Sequence, residues 1–168
     1  MNRSTARRRA GTRCAAVVAA LLALATGPAF ALEAGDFPYS GVEVIHTSHS
    51  YAELIGRFNA AVKGSKMGLV TRASATLGAK AIGKTIPGNM VIGVYRPDFA
   101  VRMLAASVAA GIEAPLRFYI VEESDGTATL AYRLPSAVFA PYGSDQLDAM
   151  AVELDVIFTH IAREATAP

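Results

Sequence analysis

The chain has 168 residues, 52% of them apolar and 18% charged, which predicts a compact globular domain and excludes a disordered chain. Its 16 basic and 14 acidic side chains give a formal charge of +2, but five arginines lie within the first 13 residues. Without that segment 11 basic side chains face 14 acidic ones, a charge near −3. We therefore expect no nucleic-acid partner, because no basic surface is left to bind phosphates.

The first 31 residues have the pattern of a secretory signal peptide. An arginine-rich start precedes the apolar run CAAVVAALLALATGPAF, and Ala29-Phe30-Ala31 forms a small-x-small cleavage site. The run is too short to cross ~30 Å of hydrocarbon comfortably. We expect cleavage near Ala31, no stable membrane span afterwards, and a periplasmic or secreted protein exported by the general or the twin-arginine route. Cys14 leaves with the signal, which excludes disulfides and cysteine nucleophiles from the mature chain.

A polar lead-in (residues 32–41) precedes a single domain (residues 42–168), whose first half predicts three strands and a helix. VEVIHT is a first strand, and Ser50-x-x-Glu53 then has the spacing of a capping box at a helix start. One face of that helix is apolar: Leu54, Phe58, Ala61 and Val62. GLVTRASA and NMVIGVY predict the next two strands, and the second of these is apolar on both faces, which favours a central position.

The second half predicts a helix, a hairpin and a final helix. PDFAVRMLAASVAAG begins with a proline at a helix-entry position and ends on glycine. LRFYIVEE and TATLAYRL flank Asp125-Gly126, a strong hairpin signal. The last helix repeats apolar residues at spacings of three and four: Leu147, Met150, Leu154, Ile157 and Ile161. The order β-α-β-β-α-β-β-α predicts an α+β fold of two layers, with helices on one face of a mainly antiparallel sheet.

The segment GAKAIGKT, from Gly78 to Thr85, fits the phosphate-binding loop pattern at every required position. Such a loop needs a helix directly after it, because the amide groups of that helix N-terminus cradle the phosphates. Here Ile86-Pro87-Gly88 and a strand follow instead. We therefore interpret the segment as a glycine-rich loop or short helix that binds no nucleotide.

Catalytic patterns are sparse in this sequence. His46 and His49 lie where a strand becomes a helix, but no nearby acidic residue completes a metal-ligand set, and no G-x-S-x-G nucleophile is present. We expect no metal, no cofactor and no assigned catalytic residue. The alternative is a metal-free enzyme with His46 or His49 as general base and Arg96 as electrostatic stabiliser, which requires these side chains to meet in one cleft.

The hairpin carries the candidate ligand-binding residues. With a two-residue loop at Asp125-Gly126, Tyr119 lies opposite Tyr132 on one face, and the other face is also apolar. Tyr95 of the third strand could join the two tyrosines, with Arg96 and Arg133 at the strand ends. An aromatic floor with cationic rims suits a small aromatic or anionic ligand or the same face of a second copy, whereas amphipathic packing at the core edge is the simpler interpretation.

The segment GVYRPDFAVRMLAASVAAGIEAPLRFYIVEESDGTATLAYRLPSAVF, with the helix after it, resembles the domain of unknown function 302 family. The matching positions, in order, are Pro97, Pro115, Asp125-Gly126, Tyr132 and Pro135, and the resemblance covers residues 42–165. It implies a small, often dimeric α+β domain, similar to the TATA-binding-protein arrangement, with no established activity. We expect a domain that forms a homodimer and acts by binding, with a small ligand or a partner surface as its object.

Several positions depart from the pattern of that family. Arg96 stands where many relatives carry asparagine, Leu116 where some carry cysteine, and Ser74-Ala75 where many carry Asp-His. A metal or redox role that depends on those residues has no support in this chain.

Overall fold

The computed structural model describes residues 31–168. The strands are β1 (Val42–Ser50), β2 (Gly68–Ala73), β3 (Asn89–Tyr95), β4 (Leu116–Glu122) and β5 (Thr127–Arg133). The helices are α1 (Tyr51–Gly64), α2 (Ala75–Ala81), α3 (Pro97–Ala106), α4 (Pro135–Phe139) and α5 (Asp145–Thr166). Short 3-10 turns lie at Ala34–Asp36, Ala109–Glu113 and Ala140–Tyr142. The predicted strands and long helices are all present, and α2 and α4 are additions.

The five strands form one antiparallel sheet in the order β1-β5-β4-β3-β2. The α+β fold class predicted from the sequence is confirmed. Strand β3 pairs with a neighbour on each side, as its apolar faces predicted, although β4 holds the middle of the sheet.

Capping side chains fix where the two longest helices begin. Ser50 accepts a hydrogen bond from the Glu53 amide at the start of α1, and Ser144 accepts one from the Leu147 amide at the start of α5. These bonds satisfy amide groups that have no partner inside the helix. The local sequence therefore determines at which residue each helix begins, and so which of its side chains face the sheet.

The core lies between the sheet and helices α1, α3 and α5. Phe118 of β4 is its aromatic centre, because its ring lies 4.8 Å from the Phe58 ring of α1 and 4.6 Å from the Phe158 ring of α5. The predicted stripe of α5 faces this core, with Leu147, Met150, Leu154 and Ile161 buried and Ile157 half-buried. Apolar side chains on one face of a helix are buried where they meet a sheet, which is the main stabilising effect here.

The predicted register of the hairpin is wrong by one residue. The loop contains three residues, 124–126, because the Glu123 amide donates to the Thr127 carbonyl at 2.9 Å. Gly126 closes the turn with a φ of +85°, in the left-handed region that glycine adopts without strain. Tyr132 therefore pairs with Phe118, and Tyr119 pairs with Ala131. Because successive side chains alternate between the faces of a strand, this shift places Tyr119 and Tyr132 on opposite faces.

In a phosphate-binding loop the helix follows the glycine-rich segment, whereas here the helix comes first. Helix α2 precedes and overlaps it and ends at Ala81, and the chain from Lys84 to Gly88 continues without a helix into β3. The absence of a helix after Lys84, predicted from the sequence, is confirmed within this part of the chain. That the segment binds no nucleotide stays a prediction.

The lead-in runs along the sheet face opposite the helices, which we call the open face. This face is marked by one row of side chains across four strands: Val44, Ala131, Tyr119 and Val91. The Leu32 amide donates to Glu123 Oε1 at 3.4 Å, and at the other end Arg133 Nε donates to the Ser40 carbonyl at 3.2 Å. The lead-in thus covers part of the second apolar face, so that Ala131 is only 1% exposed.

Candidate functional site

A pocket of about 370 Å³ opens between the lead-in and the open face. Lead-in residues Phe37 and Tyr39 form one wall, and Tyr119 and Ala131 belong to the floor. The other residues of its lining come from the strands and from the ends of adjoining helices: Val42, Val91, Glu113, Leu116, Arg117, Phe118, Tyr132, Arg133 and Val138. A concave, mainly apolar site of this volume falls at the lower end of the range for small-molecule sites, roughly 300–1,000 Å³.

Two arginines and one glutamate supply the charges of this lining. Arg133 donates to the Ser40 carbonyl and, at 2.7 Å, to the Ala137 carbonyl, and its guanidinium lies 5.0 Å from the centre of the Tyr39 ring. Glu113 accepts a hydrogen bond from the Tyr142 hydroxyl at 3.0 Å. Arg133 therefore holds the lead-in in place, and Glu113 is held by a neighbour.

The tyrosine on the pocket floor stays neutral over the ordinary pH range. Burial raises the pKa of Tyr119, and the nearby carboxylate of Glu123 raises it further. The half-buried Tyr119 ring can offer an apolar surface to a ligand, and its hydroxyl can donate a hydrogen bond.

Among the five predicted ligand-binding residues, the structure brings Tyr119 and Arg133 together on the open face. Tyr132, although it belongs to the pocket lining, is 5% exposed, and its ring lies on the core side 5.0 Å from the Phe118 ring. Burial raises the pKa of Tyr132. Tyr132 therefore packs as part of the core, which was the simpler interpretation of the sequence.

Tyr95 and Arg96 lie at a different place, beside the start of α3. Both line a separate cavity of about 30 Å³, which is too small for a ligand of more than a few atoms. Arg96 forms an ion pair with Asp98 at 2.8 Å and lies 4.2 Å from the centre of the Phe99 ring. The pair with Arg96 holds the pKa of the Asp98 carboxyl below its ordinary value.

The histidines and Arg96 do not meet in one cleft, so the condition set for the enzyme alternative is not fulfilled. His46 lies on the open face beside Thr129, with 3.0 Å between Nδ1 and the Thr129 Oγ1. His49 is buried, and its Nε2 lies 2.8 Å from the Ala167 carbonyl oxygen. Arg96 follows β3, which is separated from β1 by the two strands β5 and β4. Among residues 31–168, no three histidine or acidic side chains lie close enough to hold a metal ion.

The pocket residues that sequence reasoning missed include two aromatic and two charged side chains: Phe37, Tyr39, Glu113 and Arg117. The two aromatic residues stand out in the otherwise polar stretch LEAGDFPYSG, and that contrast is the signal that could have identified them. Arg117 lies two residues before Tyr119 in β4, so the alternation of side chains along a strand already places both on the same face.

Comparison with known proteins identifies the fold and the family. The profile of the family described as domain of unknown function DUF302 matches residues 43–164. A solved structure, the crystal structure of an uncharacterized conserved protein DUF302 from Bacillus stearothermophilus, superimposes with a TM-score of 0.66 at 18% sequence identity. The superposition covers 74% of this chain and 98% of that chain, which shows a shared fold.

The chain is also similar to curated proteins named as fluoride-specific ion channels. It is 26% identical over 130 residues to FluC 1 of Brucella suis biovar 1 (strain 1330), a match that covers 71% of this chain and 51% of that protein. FluC 2 of Brucella melitensis biotype 1 matches at 26% identity over 48% of its length. The chain therefore spans about half the length of the curated relatives it matches. None of the helices within residues 31–168 is long and apolar enough to cross a membrane.

Proposed function

The chain belongs to the family of domain of unknown function DUF302, and from that premise we propose that it is an exported domain that binds a small molecule in the open-face pocket. The observation that carries this proposal is the pocket of about 370 Å³ between the lead-in and the sheet. A two-layer α+β domain needs to bury only one face of its sheet. The apolar and aromatic lining of the second face is therefore available for recognition.

Dye binding tests this function. The neutral dye 1-N-phenylnaphthylamine, whose fluorescence rises in apolar surroundings, is expected to bind the purified mature chain saturably. Tyr119→Ala should weaken binding about tenfold, because it removes a large part of the aromatic floor. The control is Tyr95→Ala, a half-buried tyrosine of the same sheet that lines the smaller cavity.

The proposal of binding fails if the folded wild-type chain binds no dye. It also fails if Tyr95→Ala and Tyr119→Ala weaken binding equally. Circular dichroism and thermal unfolding of each variant establish that both are folded before binding is compared.

We extend the proposal to export with cleavage after Ala31. Residues 1–30 of the proposed signal peptide lie outside the described residues. The first residue after the proposed cleavage site is described, and the Leu32 nitrogen lies 3.4 Å from Glu123 Oε1. Cleavage would turn that amide into a charged ammonium group facing a carboxylate. This pair would hold the start of the lead-in on the open face, where Phe37 and Tyr39 complete the pocket.

Mass spectrometry of the expressed protein checks the export proposal. The exported form is expected to begin at Leu32, and Glu123→Gln should lower its thermal stability slightly, because an ion pair at the protein surface contributes about 0.2–1 kcal/mol. The same substitution should have a smaller effect on a chain that carries two extra residues before Leu32. Recovery of only full-length protein from the cytoplasm would contradict this proposal.

Self-association is the second function that the open face supports. Homodimerisation stays a proposal, with the uncovered part of the open face as its contact surface. If the dimer forms through this surface, dye binding and dimer formation compete. Sedimentation velocity should then show a smaller dimer fraction in the presence of the dye than in its absence.

A further inference from the structure

We propose that the ligand of the open-face pocket is a small aromatic or other apolar anion, and that the Arg117 guanidinium binds its negative group. This inference rests on the proposed function of the pocket and names the chemical class that the pocket takes. It is carried by the different roles of the two arginines in the lining and by the balance of charge around them.

Arg117 and Arg133 lie on the same face of neighbouring strands. Phe118 of β4 pairs with Tyr132 of β5, and each arginine is one residue away from its member of that pair, so both side chains point to the open face. Like charges placed across from each other on adjacent strands repel, which disfavours the empty pocket. An anion bound between strand and lead-in removes that repulsion.

The two arginines differ in what they already bind. Arg133 donates to two backbone carbonyls, those of Ser40 and Ala137, and is a structural residue of the lead-in. Arg117 is exposed, and its side chain forms no hydrogen bond or ion pair within residues 31–168, whereas the side chains of Arg96 and Arg102 each bind a carboxylate. The planar guanidinium of Arg117 is therefore available for a carboxylate or sulfonate, which it can bind through two parallel hydrogen bonds.

The charge of the pocket favours an anion although the mature chain is acidic. Within residues 31–168, the pocket lining contains two arginines and one acidic residue, Glu113. The Glu113 carboxylate already accepts a hydrogen bond from the Tyr142 hydroxyl. Glu123, which lies near Tyr119, faces the Leu32 nitrogen. A locally positive pocket in an acidic protein favours a small anion over a cation of the same shape.

The aromatic residues of the pocket lining indicate which apolar group the ligand carries. Phe37, Tyr39 and Tyr119 present aromatic rings on two sides of the pocket. Rings arranged in this way favour a flat apolar body, which they contact by stacking or edge-on packing. A charged group without such a body would leave the apolar lining in water and bind weakly.

Competition between two matched compounds tests the inference. The neutral dye is displaced from the mature chain by 2-naphthoate, an aromatic carboxylate, or by 2-naphthalenemethanol, a neutral compound of similar shape. We expect the carboxylate to displace the dye at a concentration about tenfold lower, because a charge-assisted bond adds to the same apolar contacts. Arg117→Gln should remove this difference and leave displacement by the neutral compound unchanged.

Arg163→Gln is the control, because Arg163 is an exposed arginine of α5 outside the pocket lining. It should retain the preference for the carboxylate. Equal displacement by the two compounds in the wild-type chain, or a preference that survives Arg117→Gln, overturns the inference. Both outcomes differ from failure of the proposed function, in which the wild-type chain binds no dye or Tyr95→Ala and Tyr119→Ala weaken dye binding equally.

Discussion

Phe118→Ala is expected to lower the free energy of unfolding by about 3–5 kcal/mol, the usual range for removing a buried phenylalanine. Phe118 is 1% exposed in the middle strand of the sheet, and its ring contacts three aromatic rings. The closest, Phe58 and Phe158, have ring centres 4.8 and 4.6 Å away and belong to the two helices that cover the sheet. The substitution removes contacts to both helices at once and leaves a cavity that a sheet and two helices cannot readily close.

Urea unfolding measured by circular dichroism gives this free energy. Val101→Ala provides the comparison, because Val101 is 69% exposed on α3 and its loss should change the free energy of unfolding by less than about 0.5 kcal/mol. A loss below about 1 kcal/mol for Phe118→Ala would show that the ring does not occupy the packed position described above.

Gly41→Ala is expected to have the second largest effect, a loss of about 2–4 kcal/mol, from backbone strain and overpacking together. Gly41 joins the lead-in to β1 with a φ of +75°, a conformation that costs a residue with a Cβ about 1–2 kcal/mol. A Cβ at this position would also overlap the Cβ of Ala137 in α4. The backbone cannot move freely to relieve that overlap, because the Gly41 carbonyl accepts a hydrogen bond from the Leu134 amide at 2.7 Å.

Gly126→Ala separates the two causes. Gly126 has a φ of +85°, similar to that of Gly41, but no atom lies within 4 Å of where its Cβ would be. This variant should therefore lose only the cost of the backbone conformation, about 1–2 kcal/mol. Equal losses for the two variants in thermal or urea unfolding would mean that contact with Ala137 contributes nothing. Dye binding should fall for Gly41→Ala and stay unchanged for Gly126→Ala, because of these two glycines only Gly41 belongs to the lead-in that forms the pocket wall.

Local patterns in the sequence were sufficient to predict the five strands, the three longest helices and the faces that these helices bury. The spacing of Leu147, Met150, Leu154 and Ile161 determines which side of α5 is buried, because a helix repeats every 3.6 residues regardless of its partners. Ser50 likewise marks the start of α1, because capping involves only residues within one turn. The order of these elements then predicted the α+β class, since helices with one apolar face can bury it against a sheet.

The hairpin register could not be obtained from Asp125-Gly126 alone. This dipeptide fits a two-residue loop and also a three-residue loop that ends on a left-handed glycine, and the two differ by one residue in pairing. The choice depends on which side chains the helices bury. The observed register places Phe118, Ile120, Leu130 and Tyr132 together against α1 and α5, and leaves Tyr119 and Arg117 on the other face.

The pocket itself is decided only by tertiary structure. Its wall is the lead-in, which bonds to residues more than 90 positions away, Leu32 to Glu123 and Ser40 to Arg133. No local periodicity reports such contacts, because each depends on the sheet being assembled before the lead-in has a surface to pack against. The sequence by itself determines a two-layer domain with an apolar second face. Only the tertiary structure shows that residues 32–41 cover part of that face and that Tyr119 and Arg117 line the pocket that remains.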